Sequence, residues 1–275
     1  MVITGPTRLR PRLLVIGHGA STTGYARVIR SVLEHIAEDF DVHLFDIHRP
    51  ASSLPASSAG APPRWTRHAN PIRADLHGRH SLPGVLETVQ PELIWMVHDL
   101  YLNSTLQPLF AAHAPQAKVV LYSPIDGEIE DVDKLSAVAG VDALVLFTES
   151  ARQLVESGMR ELSRRDHGFC PPPIEVIPHG VDTEVFPPLP DGPARKAARR
   201  ALRAEMFPRH PQLANGFLVL NANRNQPRKR MDLTLTAFAL LIHERQCPAW
   251  LYLHMGMRDL GYDILALAHQ LDITD

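Results

Sequence analysis

Residues 221–232, NANRNQPRKRMD, place four cations, Arg224, Arg228, Lys229 and Arg230, within seven positions. An apolar run, Phe217 to Leu220, precedes them, and Met231, Leu235, Phe238 and Ile242 follow at helical spacing. The cations therefore fall in a strand-to-helix loop and the first helical turn, where backbone N–H groups and the helix dipole favour an anion. Arginine meets a phosphate as a fork and lysine as a point charge, so together they suit a doubly charged phosphate. A solvated basic loop is the alternative, but crowded cations oppose the dipole and a bound anion accounts for them better.

Three further groups sit after predicted strands. Gly17, Gly19 and Gly24 form GxGxxxxG, which is not the GxGxxG dinucleotide fingerprint. Those glycines let backbone approach a ligand, and Ser21, Thr22 and Thr23 offer hydroxyls at a helix start; a tight turn with a helix cap fits equally. In SPIDGEIED, Asp126, Glu128 and Glu130 cluster, although Asp-Gly is also a good turn. In WMVHDLY, His98 and Asp99 end a buried-looking strand, with Asn103 and Ser104 as alternative helix-starting residues. The chain has 15 histidines, yet HGRH at 77–80 lies in an irregular loop without a second ligand pair, so no metal site is expected.

Alternating strands and helices must position these groups. Continuous apolar runs at 12–17, 41–47, 92–97, 118–122, 143–147 and 174–178 are separated mostly by helix-length spacers. This pattern predicts an α/β fold with a parallel, doubly wound sheet. Its ligands belong at the carboxyl ends of the strands. The Pro/Ser/Ala-rich stretch 49–83 reads as a long loop. A proline-rich connection around a basic helix at 194–203 follows the last of these strands. The pattern then restarts with a strand from 217, a helix at 230–246, a strand at 249–255 and a helix at 260–271. The expected organisation is an N-terminal domain at 1–190, a connection at 191–214 and a second, incomplete Rossmann-like domain at 215–275.

Composition narrows the classes. A net charge of -2 and a pI of about 6.7 exclude general nucleic-acid binding and require any anion site to be local. Cys170 and Cys247 lack CxxC spacing, which suits a reduced cytoplasmic protein. No apolar run reaches the roughly 18 residues of a membrane span, and the N-terminus lacks a signal-peptide core. The basic helix could at most touch anionic lipid peripherally.

The stretch 221–241 resembles the donor-site motif of GT-B retaining glycosyltransferases of family four. Arg224, Lys229, Asp232 and TAFALL occupy the motif's positions, with Arg230 where glycine is usual. VIPHGVDTEVFPP at 176–188 is similar to the same family's interdomain motif, and LVIGHGASTTGYARVIRSVLEHI to its first strand, glycine loop and helix. The resemblance implies a nucleotide-diphospho-sugar donor, an unidentified acceptor, and neither cofactor nor metal. Arg224 and Lys229 would hold the diphosphate, with Gly19, Ser21, Thr22, Asn223 and Asp232 on the donor side. Many members carry a histidine contacting the donor sugar where Asp126 stands here. Asp126 would accept a sugar hydroxyl or the acceptor's proton. His98, Asp99 and Glu128 are expected on the acceptor side. The family's paired glutamates, eight positions apart, would follow Asp275. The resemblance thus implies a truncated C-terminal domain, completed by a second polypeptide or left non-catalytic as a partner- or nucleotide-binding homologue. An NAD-dependent oxidoreductase fits the strand pattern but leaves the cations at 224–230 unexplained.

Overall fold

The computed structural model describes residues 10–19, 23–47, 64–72, 74–257 and 259–274. The chain divides into two compact units, Met1–Gly180 and Val181–Asp275.

In the first unit the elements run β1 (Arg12–Gly17), α1 (Gly24–Ile36), β2 (Asp41–Asp46), β3 (Thr66–Ala69), α2 (Leu82–Val89) and β4 (Leu93–Val97). They continue as α3 (Tyr101–His113), β5 (Lys118–Tyr122), β6 (Ala143–Leu146), α4 (Glu149–Arg165) and β7 (Ile174–Val176). All seven strands are parallel, in the order β3-β2-β1-β4-β5-β6-β7. The order reverses between β1 and β4, which creates a crevice beyond their carboxyl ends.

Side-chain alternation explains the layering. Leu14, Ile16, Ile94, Met96 and Leu121 pack on one face with residues of α2, α3 and α4. Leu13, Val15, Val42 and Leu44 pack on the other with Ile29 and Leu33 of α1. With both faces covered, the strands read as unbroken apolar runs rather than as alternating ones. Gly17 must be glycine for space, since a Cβ there would lie 2.7 Å from Ile29 Cδ1 and 3.1 Å from the Val97 carbonyl.

The stretch expected as a loop over 49–83 differs. Residues 48–63 lie outside those described, but β3 follows them and α2 begins at Leu82. As an edge strand, β3 is held by polar cross-strand pairs instead of apolar burial. His43 Nδ1 and His68 Nε2 lie 2.9 Å apart, and Arg67 Nε donates to Asp46 Oδ2 at 2.7 Å. Asp46 is only 1% exposed, so its charge needs that partner.

The second unit contains α5 (Pro193–Met206), β8 (Phe217–Asn221), α6 (Met231–His243), β9 (Ala249–Leu253) and α7 (Ile264–Gln270). β8 and β9 pair in parallel, with Phe217 opposite Ala249. Met231, Leu235 and Ile264 form its buried core. The last helix starts later than the spacing predicts, because the Asp263 carboxylate caps it by accepting from Ala266 N at 3.0 Å. α5 buries no residue. Among the described residues no helix is long and apolar enough to cross a membrane, and no group of three or more ligating side chains could hold a metal ion.

Burial, reinforced by His43, pushes the His68 pKa below the ordinary histidine value. The unfolded chain then binds more protons than the native one as pH falls through that value, so stability should drop on acidification. We expect the thermal midpoint to fall between pH 7.5 and about 5.5, and His68→Asn to flatten that dependence. Thermal melts of both proteins across this range check the sign.

Candidate functional site

At the carboxyl ends of β1 and β4, His18 Nε2 and His98 Nε2 approach to 3.1 Å and the two rings stack with centroids 5.1 Å apart. Tyr25, in the first turn of α1, stacks on His98 at 5.5 Å and donates its hydroxyl hydrogen to Asp99 Oδ1 at 2.8 Å. Tyr101 meets His98 edge-on. Burial, then the hydrogen bond to Asp99, raise the Tyr25 pKa far above the ordinary phenol value. Tyr25 therefore stays a neutral phenol whose hydrogen bond orients the Asp99 carboxylate.

Beside this stack opens a cavity of about 530 Å³ whose lining includes Asp99, Tyr101, Ser104, Asp126, Glu128 and Lys134. Asp99, Asp126 and Glu128, expected as substrate-facing, thus share one cavity, and Glu130 lines it too. His98 is only 4% exposed, packed beneath the rim rather than lining the space. Gly19 is buried next to Leu44. Ser21 and Thr22 lie outside the described residues. Thr23 caps α1, accepting from Ala26 N at 3.4 Å.

Asn103 does not start a helix as the sequence suggested. It lies inside α3, fully buried, and its Nδ2 donates to the Ala137 and Ala139 carbonyls at 2.8 and 3.1 Å. Those carbonyls end the 3-10 turn Val132–Val138, which carries Lys134 and forms one cavity wall. The helix-capping alternative fails as well, because the start of α3 has no side-chain cap.

In the second unit the four cations divide. Arg224 forks onto Asp259, with Nε to Oδ2 at 3.0 Å and Nη2 to Oδ1 at 3.1 Å. Arg230 pairs with Asp232 at 2.7 Å. Among the described residues Arg228 and Lys229 make no ion pair. Asp232 is held down to a pKa of about 2, chiefly by the Arg230 hydrogen bond, which makes it a counter-ion in the first turn of α6. Asn223 N donates to Asn221 Oδ1 at 3.0 Å, fixing the exit from β8. Fully buried Asn225 staples this turn to the loop after β9, with Nδ2 donating to the Met257 and Tyr262 carbonyls and Oδ1 accepting from Tyr262 N. Close approach there requires glycine at 261, where a Cβ would collide with Asn225.

Sequence reasoning missed Asp259, Asn225, Tyr25 and Tyr101. Asn225 stood inside the motif, but nothing local marks a partner 35 positions away for Arg224. Arg230 adopts φ 47°, ψ 57°, the left-handed region, as the residue preceding α6. Glycine usually fills this position in the resembling motif, and the backbone supplies the reason.

No family model matches the chain, and no curated protein matches it in sequence. Solved structures match it in fold. The N-terminal domain of trehalose-6-phosphate phosphatase from Candida albicans superposes with a TM-score of 0.60 at 14% identity, over 99% of this chain and 69% of that one. The α,α-trehalose-phosphate synthase (UDP-forming) from Burkholderia xenovorans, in complex with glucose-6-phosphate, gives 0.58 at 15%, covering 95% and 69%. The α,α-trehalose 6-phosphate synthase from Burkholderia multivorans gives 0.56 at 14%, covering 90% and 63%. The fold is GT-B-like. Identity this low establishes the architecture, and what a GT-B-like chain binds is decided by its own side chains.

Two consequences follow for this scaffold. Asn103→Leu strips the Ala137 and Ala139 carbonyls of their donor and should cost about 1–3 kcal/mol in urea unfolding. Arg230→Gly and Arg230→Ala both lose the Asp232 pair, but only glycine relieves the left-handed backbone. The glycine variant should be the more stable by about 1 kcal/mol in the same assay.

Proposed function

We propose that the protein transfers a sugar from a nucleotide-diphospho-sugar to a hydroxyl acceptor, with retention as the family-four resemblance implies. One observation carries the reading: Arg224 and Lys229 sit in the loop at the amino end of α6, on a turn locked by Asn225 and by the left-handed Arg230. Such a turn presents backbone donors and two cation types to a diphosphate.

On this reading Arg224 exchanges its Asp259 carboxylate for diphosphate oxygens, while Lys229 adds a mobile point charge. Asp259 keeps the guanidinium oriented between turnovers. As the glycosidic bond to phosphate lengthens, negative charge grows on the departing oxygen and positive charge on the sugar. Cations fixed near that oxygen stabilise the transition state more than the ground state. They supply the countercharge that a divalent ion gives elsewhere, so no metal or cofactor is invoked.

The acceptor is assigned to the carboxylate-lined cavity of the first unit. Asp126 accepts a hydrogen bond or the proton from the attacking hydroxyl, and Asp99, oriented by Tyr25, fixes a second hydroxyl. Those walls favour an uncharged polyol.

Calorimetric titration of nucleoside diphosphates against NAD tests the donor assignment. Nucleoside diphosphates should bind, and Arg224→Ala and Lys229→Ala should each weaken them about tenfold or more, as a lost charged hydrogen bond does. With a productive acceptor, either variant should lose about 10²–10³ in kcat while keeping the thermal midpoint. Binding of NAD instead, or unchanged diphosphate affinity in both variants, would sink the reading.

A further inference from the structure

A second cavity, of about 420 Å³, lies between the C-terminal half of α4 and the segment Pro171–Ile174 that enters β7. Because Ile174 begins its strand, this cavity is at the amino edge of the parallel sheet, opposite the edge that carries Asp99 and Asp126. It serves none of the chemistry assigned above.

Its lining is amphipathic. Met159, Pro171, Pro172 and Ile174 make an apolar floor. Arg160, Ser163 and Arg164 stand along it at i, i+3 and i+4 on α4, so their side chains share one helix face. The carboxylate on this stripe, Glu156, already accepts from Arg152 at 2.8 Å and reaches Arg160 only at 3.9 Å. Arg164 makes no ion pair among the described residues. Ser163 Oγ is buried and has no hydrogen-bond partner among the described residues. The helix dipole favours cations near this end, but it accounts for neither the hollow nor the buried hydroxyl.

We propose that this cavity binds a small organic anion, a phosphate monoester or carboxylate with a compact apolar body. The anion lies between Arg160 and Arg164, one of its oxygens accepts the Ser163 hydroxyl hydrogen, and the apolar body rests on Met159 and the prolines. The volume lies within the range of small-molecule pockets.

Cys170, exposed and adjacent to Pro171, reports occupancy, and Cys247 in the second unit serves as the internal reference. Maleimide labelling of the full chain, followed by peptide mass spectrometry, is run with phenyl phosphate, benzoate, inorganic phosphate or benzyl alcohol. Concentrations extend to about 10 mM, enough to saturate a millimolar site, at constant ionic strength. Phenyl phosphate or benzoate should slow Cys170 labelling saturably, leave Cys247 unchanged and outperform both inorganic phosphate and the neutral alcohol. Whichever of the two protects better assigns the head group. Arg160→Ala/Arg164→Ala should abolish protection, and Ser163→Ala should weaken it by about three- to tenfold. Both arginines are exposed, so circular dichroism should show an unchanged fold in the double variant. Equal protection by the alcohol, undiminished protection in the double variant, or no saturable effect would overturn the assignment.

Discussion

Burial of a parallel sheet on both faces governs this molecule. The central strands of the first unit leave little room for polar groups, and β1 presents five consecutive buried residues after Arg12. Away from the edge pair β2 and β3, buried polar side chains gather where strands stop. Asp46 closes β2, Asn70 follows β3, His98 follows β4 and Ser123 follows β5, and each is at most 4% exposed. Four successive strand ends thus carry buried polar groups along one edge. The stacked His18, Tyr25 and His98 and the carboxylate-lined cavity stand on that ledge. Buried polar groups of the central sheet collect there because the apolar strand interiors exclude them.

The second unit solves a different problem, holding cations still in a chain that is close to neutral. A guanidinium free in water loses rotamer entropy on meeting a ligand. Pairing Arg224 with Asp259 settles part of that cost during folding, at the expense of a competitor that the proposed ligand would have to displace. Asp259 is 17% exposed in its side chain against 69% for Arg224, so the carboxylate is the fixed partner and the guanidinium the presented one. A monoanion gains little from such an exchange. On the proposed reading a diphosphate, with several charged oxygens, would replace the carboxylate and still engage Lys229. Arg230 plays another part: it turns the backbone in a conformation glycine would adopt without strain, while its own charge is absorbed by Asp232.

Legibility in sequence followed the range of the interactions. The strands of the parallel sheet were readable because two-sided burial writes unbroken apolar runs, and α1 and α6 because one-sided burial writes a helical period. β3 was not, since TRHA draws its stability from His43 and Asp46 on a neighbouring strand. Asn103 resembled a helix start because short polar side chains favour caps; its true partners are carbonyls 34 and 36 positions later. The cationic turn could be found from charge crowding, yet Asp259 could not, because nothing near residue 259 marks it as the counter-ion of Arg224. Local physics leaves marks in a sequence, whereas tertiary pairing of lone polar residues leaves almost none.

Architecture and ligand also separate at the cavity of the first unit. One of those structures holds glucose-6-phosphate. In this chain the cavity walls bear Asp99, Asp126, Glu128, Glu130 and Asp131 against Lys134 alone. Each unit-charge pair about 6 Å apart is worth roughly 0.7 kcal/mol even in water. A phosphate dianion facing that excess of carboxylates would therefore be disfavoured by several kcal/mol before salt screening. Hydroxyls suffer no such penalty, and carboxylates are good acceptors for them. The carboxylates that the loops after β4 and β5 bring to this cavity therefore suit the uncharged, hydroxyl-bearing occupant proposed above, whereas the fold shared at 15% identity carries the architecture alone and leaves the occupant to this chain's own side chains.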